Sequence, residues 1–106
     1  TNGKKLNIKV LVLGEGDEAT RLKLMHVEGV RSKKTDNSFI HSQQGFSYLT
    51  VKVKDTAKAL QRLEKAGIKP IARGSQELPA SLAKGIYLTI VRDPDGNLIE
   101  LVGPKP

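Results

Sequence analysis

The amino-acid sequence predicts an α+β fold made of short strands and a single helix. Apolar residues alternate with polar ones in several short runs, which is typical of strands that bury one face. One longer segment has helical spacing and follows an Asp that can cap a helix, and Gly and Pro residues separate the runs. The 106 residues include no Trp, two Phe and two Tyr. We therefore expect a core built mainly from Val, Ile and Leu.

The first part of the chain is predicted to form a hairpin followed by a linker. Residues 6–13 are rich in β-branched and apolar residues, and residues 20–27 alternate Leu with charged residues. The glycines of "GEGDEA" between them are suited to the positive φ angles of a tight turn. Residues 28–44 are polar and without period, which indicates a linker with a short apolar anchor at Phe39 and Ile40.

The second part of the chain is predicted to be a complete β-α-β-β-β unit. Asp55 is expected to cap its helix, because a carboxylate there accepts from the free amides of the first turn. The predicted order is a strand within 45–55, the helix, a strand at 68–73, a loop at 74–85, and strands at 86–92 and 98–102. We expect one domain over 1–106, with 1–44 as a partial first module with its linker and 45–106 as the complete second module. The first module lacks an opening strand and helix.

Composition narrows the classes of partner. The net charge is +7, but the basic residues are scattered and no aromatic residues accompany them, so nucleic-acid binding is not expected. A positive field favours an anionic or neutral small ligand. No apolar run has the length of a membrane span. The absence of Cys excludes disulfides and thiolate chemistry and does not determine the redox compartment. The compartment is unknown from the sequence, with the cytoplasm favoured.

The segment "VRDPDGNLIEL" at 91–101 carries three carboxylates with different expected roles. Asp93 and Asp95 belong to a predicted hairpin turn, in which Pro94 fixes one φ angle and Gly96 supplies a positive one. Glu100 lies in the next strand among apolar residues. A carboxylate in that setting either stays exposed to solvent at an edge or needs a cation, because burying it without a partner is costly.

The segment "VRDPDGNLIELVGP", after "GFSYLTVKVKD" and a helix ending in "EKAGI", resembles the second module of the vicinal oxygen chelate superfamily. That superfamily contains glyoxalases, bleomycin resistance proteins and ring-cleaving dioxygenases. "RLKLMHVEG" similarly resembles the last strand of the first module in glyoxalase I-like members. The resemblance implies paired β-α-β-β-β modules, the first reduced here to its strands, whose sheets curl around a cup.

The resemblance also implies candidate site residues. Family members hold a divalent metal (Zn, Ni, Mn or Fe) in the cup, and Glu100 falls on the last glutamate ligand, as a catalytic or metal-binding residue. Lys23 falls where glyoxalase I-like members carry a glutamate, and Tyr48 where a histidine is usual. Because an ammonium group is a poor metal ligand, we hypothesise that Lys23 pairs with Glu100, with the Tyr48 hydroxyl joining in. Phe46 and Thr50 share the strand face of Tyr48 and are predicted to contact a ligand.

Three functions are compatible with these residues. The first is a small-molecule-binding cup that lacks the usual metal. The second is a metal-dependent lyase or dioxygenase, similar to lactoylglutathione lyase. The third is a structural or interaction domain whose cup is filled by side chains. A first module without its opening strand and helix would leave an apolar sheet face and a strand edge uncovered. Either the chain is a fragment of a longer one or a partner chain supplies the cover, and we expect self-association as a homodimer.

Overall fold

The computed structural model describes residues 3–72 and 74–106 and has the predicted α+β class. The chain divides into two compact units, Thr1–Lys33 and Lys34–Pro106, so that the predicted linker residues 34–44 lie in the second unit. Among the described residues, the elements in chain order are β1 (Leu6–Leu13), β2 (Thr20–Val27), β3 (Tyr48–Lys52), α1 (Thr56–Lys65), β4 (Gln76–Glu77), β5 (Ile86–Arg92) and β6 (Leu98–Pro104).

The first unit contains the predicted hairpin. β1 and β2 pair antiparallel over their full lengths, and Leu6 lies opposite Val27. Side chains alternate across such a ribbon, so apolar residues lie on both of its faces. Most of these side chains are exposed, among them Ile8, Val10, Leu11, Val12, Leu24 and Met25.

The second unit contains the predicted β-α-β-β-β order around one sheet. The strand order in that sheet is β3-β6-β5-β4. β3 pairs parallel with β6, whereas β5 pairs antiparallel with β6 and with β4. The first and last strands of the unit are therefore neighbours in the sheet, joined through α1 and the two strands between. The most buried apolar side chains are Val91 and Leu98, each 5% exposed.

The strand predicted at 68–73 is wrong in position. The strand after the helix is the two-residue β4, inside the segment predicted as a loop. Two local effects prevent a strand at 68–70. The Ile68 amide donates to the Leu63 carbonyl (2.9 Å) as part of the helix C-terminus, and Pro70 has no amide hydrogen to donate. The Ile71 amide does reach the Ile90 carbonyl of β5 (2.8 Å); residue 73 lies outside the described residues.

The helix is held at both ends by the expected signals. The Asp55 carboxylate accepts from the Lys58 amide at 2.9 Å, which confirms the predicted cap. Gly67 follows the helix with a φ of 74°, a conformation that favours glycine. Among the described residues, no helix combines the length and the apolar character that crossing a membrane requires.

A close approach fixes α1 against β6. The buried Thr56 hydroxyl donates to the Pro104 carbonyl at 2.6 Å. A Cβ atom on Gly103 would lie 2.5 Å from the Thr56 hydroxyl oxygen and 2.7 Å from the Val53 carbonyl oxygen. Only a glycine fits there, so this position sets how closely the helix packs on the sheet.

Candidate functional site

A shallow pocket lies in the second unit, on the sheet face that carries Glu100. Strand register aligns its residues in two rows. Thr50 of β3 and Ile90 of β5 flank Glu100 of β6, and Tyr48 lies beside Leu98 in the next row. The pocket measures about 100 Å³, and its lining residues are Ile40, Tyr48, Ile90, Leu98 and Glu100.

Glu100 is the charged group of this pocket. Its side chain is half-buried, and Oε1 accepts a hydrogen bond from the Thr50 hydroxyl at 3.0 Å. The predicted face is confirmed, since Leu98 and Glu100 line the same pocket. β6 is an inner strand of the sheet, so the expected exposure at a sheet edge is not the reason for this partial exposure, and within the second unit the partner is a neutral hydroxyl. Thr50 lies two residues after Tyr48 in β3, and the alternation of side chains along a strand predicts that both lie on the same face of the sheet.

One wall of the pocket comes from the segment before β3. Ile40 lines the pocket, and a half-buried arginine holds the preceding residues. Nη1 of Arg92 donates to the carbonyls of Asn37 (2.7 Å) and Gly96 (2.9 Å), and Nη2 donates to that of Ser38 (3.4 Å). Arg92 is not among the site residues that the sequence predicted. Nothing local signals its role, because two of its three acceptors are more than fifty residues away in the chain.

The turn after β5 is shaped by Asp93. Its carboxylate accepts from the amides of Asp95 (3.0 Å) and Asn97 (2.8 Å) and from the Asn97 side-chain amide (2.9 Å). Gly96 has a φ of 86°, as predicted. Within the part of the chain that the structure describes, the Asp95 carboxylate has no hydrogen-bond partner. Asp93 is therefore the structural carboxylate of the pair.

The predicted site residues divide between the two units. The second unit brings Tyr48, Thr50 and Glu100 together on one face. Phe46 lies in the loop before β3 with its side chain fully exposed, away from the pocket lining. Lys23 is an exposed residue of β2 in the first unit. The Lys23–Glu100 pair stays a prediction.

The donor set does not fit the divalent metal that the resemblance implies. Over residues 3–72 and 74–106, no three His, Cys, Asp or Glu side chains lie together as a metal site would need. Glu100 has a hydroxyl beside it, and the remaining lining residues are aliphatic or phenolic. Zn, Ni, Mn and Fe sites draw on imidazole and carboxylate groups, of which this pocket supplies one.

The second unit is a β-α-β-β-β unit of α+β class, and one face of its sheet carries the pocket. The chain matches the model of the Glyoxalase/Bleomycin resistance protein/Dioxygenase superfamily over residues 5–101 and belongs to that superfamily. This match confirms the resemblance inferred from the "DPDGNLIEL" segment. None of the curated proteins is a significant sequence match.

Solved structures support the same fold. A glyoxalase family protein from Bacillus cereus has a TM-score of 0.69 at 19% identity, covering 95% of this chain and 63% of that one. A glyoxalase/bleomycin resistance protein/dioxygenase domain from Frankia sp. EAN1pec has a TM-score of 0.59 at 22% identity, covering 92% and 74%. At these identities the likeness shows the fold alone. The chain spans less than two thirds of the length of the Bacillus protein.

Proposed function

We propose that this protein binds a small organic molecule in the Glu100 pocket and does so without the superfamily's metal. The observation that carries this function is the pocket itself, an apolar recess with one carboxylate and one phenol at its wall. Ligand sites in proteins are concave and mainly apolar, with a few polar groups that fix orientation. The pocket has this composition.

Among residues 3–72 and 74–106 no three His, Cys, Asp or Glu side chains form a metal-ligand set, which supports ligand binding over metal-assisted catalysis. The enzymes named in the superfamily remain the second candidate, because the sequence resemblance predicts that Glu100 corresponds to a family ligand. Under that alternative the chain would need further ligands from a partner or from another segment. The two candidates differ in one measurable property, which is stoichiometric metal affinity.

Calorimetric titration with Ni²⁺, Zn²⁺, Mn²⁺ and Fe²⁺ tests the metal-free part of the proposal. We expect no stoichiometric binding, because one carboxylate with a hydroxyl neighbour is a weak site. The matched variants are Glu100→Ala and Glu64→Ala, the latter removing an exposed carboxylate of α1. Tight binding that Glu100→Ala abolishes and Glu64→Ala preserves would favour a lyase or dioxygenase.

A thermal-shift screen with metabolites tests the binding function. A ligand that binds only the folded protein adds RT ln(1 + [L]/Kd) to the free energy of unfolding, about 2.7 kcal/mol at one hundred times Kd. Hits should lose their effect in Glu100→Ala, which removes the acceptor altogether, and keep it in Glu64→Ala. A protein whose melting temperature no compound raises would instead be a structural or interaction domain.

A further inference from the structure

We propose that the pocket selects ligands that present an N–H or O–H donor from an apolar body, and that it rejects ligands presenting a carboxylate. This ligand class deepens the function proposed above and depends on it. Three features carry the proposal: the hydrogen-bonding capacity of Glu100, the shape and character of the walls, and the local charge.

The hydrogen-bonding capacity of Glu100 is only partly used. A carboxylate accepts through both oxygens and donates nothing. The bond that the structure gives it comes from the Thr50 hydroxyl to Oε1. The remaining lone pairs on the pocket side are suited to a donor supplied by a ligand. Tyr48, the other polar lining residue, is able to donate or accept and therefore does not oppose this choice.

The walls favour an apolar body next to that donor. Ile40, Ile90 and Leu98 line the pocket, and Leu98 is 5% exposed and buried in the sheet. A cavity of roughly 150 Å³ accommodates benzene, so a pocket of about 100 Å³ that opens to solvent encloses part of such a ring and leaves the rest at its mouth. The occupant is therefore a ring or branched alkyl group that carries a donor.

Local charge opposes an anion despite the net charge of +7. Exposed charges farther away than about 8 Å are largely screened at physiological salt, whereas Glu100 would touch the ligand. Lys52 is the next residue on this face of β3 and is exposed, but the ion pair found among the described residues joins Lys5 to Glu28, so Lys52 does not neutralise Glu100. Arg92, on the same face of β5, directs its guanidinium at three backbone carbonyls. The carboxylate thus sets the charge preference of the pocket.

Three ligands with one common ring test the proposal: benzylamine, benzyl alcohol and benzoate. Each is titrated into the ¹⁵N-labelled chain, with the amide signals of Ile40, Ile90 and Glu100 as the readout. We expect the amine and the alcohol to shift these signals, and benzoate to bind at least about tenfold more weakly than the amine, since a charge-assisted hydrogen bond is replaced by repulsion. The relative affinities of benzylamine and benzyl alcohol show whether the pocket prefers a cationic or a neutral donor.

Variants assign the preference to Glu100. In Glu100→Gln the gap between amine and benzoate should close, while benzyl alcohol, which the amide oxygen still accepts, should change little. Thr50→Val removes the hydroxyl but keeps the carboxylate, so it should still bind benzylamine more tightly than benzoate. This variant provides a second test if Glu100→Gln folds poorly. Benzoate binding in the pocket as tightly as benzylamine would overturn the ligand class and leave the binding function intact. Failure of all three ligands to shift the pocket signals would overturn the binding function as well.

Discussion

At the scale of single residues, the pocket depends on how a strand tolerates one carboxylate. Glu100 sits between Thr50 and Ile90 because the parallel and antiparallel registers of β6 align all three. Its partner is a neutral hydroxyl at 3.0 Å, which satisfies one oxygen and leaves the negative charge in place. Within the second unit, no cation pairs with Glu100 among the described residues, so the charge is available to a ligand there. The predicted pair with Lys23 would neutralise it.

Tyr87 offers a titration that reports on β4. Burial raises the pKa of its phenol, and the carboxylate of Glu77, which accepts from the hydroxyl at 3.3 Å, raises it further. We expect Glu77→Gln to lower this pKa, although it should stay above its usual value because burial remains. Phenolate absorbance in a Tyr48→Phe background measures it, with Glu64→Gln as the control.

The same shift makes stability depend on pH in the alkaline range. A phenol with a raised pKa in the folded state contributes stability that is complete below its unfolded value of 10.0 and is lost as pH rises through the folded value. The free energy of unfolding should therefore fall as the pH rises above 10.0 toward the folded-state pKa, and it should fall less in Glu77→Gln. An unchanged phenol titration in Glu77→Gln would show that the carboxylate does not act on Tyr87.

At the scale of elements, the turn between β5 and β6 separates two carboxylates that look alike in the sequence. Asp93 accepts three hydrogen bonds, whereas the Asp95 carboxylate has no partner among the described residues. We expect Asp93→Ala to lower the free energy of unfolding by about 1–3 kcal/mol, since the turn amides lose their acceptor. Asp95→Ala should change it by no more than about 0.5 kcal/mol. Urea unfolding of the two variants compares them directly, and equal effects would contradict the assignment.

Arg92 joins that turn to the segment that supplies Ile40. Its guanidinium bonds to the carbonyls of Asn37, Ser38 and Gly96, a planar fork that a lysine ammonium does not reproduce. In Arg92→Lys we expect faster amide exchange over residues 37–40 and weaker binding of any pocket ligand. Arg62→Lys, on the last turn of α1, is the control. Unchanged exchange at 37–40 in Arg92→Lys would rule out this coupling.

The elements that the sequence predicted well are those fixed by local rules. The Asp55 cap, the Asp93 turn and the hairpin of the first unit each depend on residues a few positions apart. The strand placed at 68–73 failed because Ile68 completes the helix end, a hydrogen-bonding role that apolar periodicity does not encode. The Arg92 contacts were not predicted, because they join segments more than fifty residues apart. The sequence alone does not indicate which distant segments lie together.

At the scale of the whole molecule, the exposed apolar residues of the hairpin form a candidate interaction surface. Ile8 is 50% exposed and Met25 67% exposed, and they lie opposite each other on one face. A two-stranded ribbon is marginally stable by itself, and exposed apolar patches on a protein commonly mark an interaction site. A second copy of the chain is the partner we expect, because it presents the same face and a homodimer interface is self-complementary.

The salt dependence of this self-association shows whether apolar contacts or charged groups hold the two copies together. Two copies of net charge +7 repel each other, and added salt screens that repulsion while apolar contacts persist. Sedimentation equilibrium should therefore give an average mass that rises with both protein and salt concentration. Ile8→Lys should abolish the rise, whereas Asn7→Lys, which adds the same charge on the opposite face, should only weaken it. A monomer mass at every concentration in high salt would exclude the homodimer, and an association that salt weakens would mean that charged groups hold the copies together.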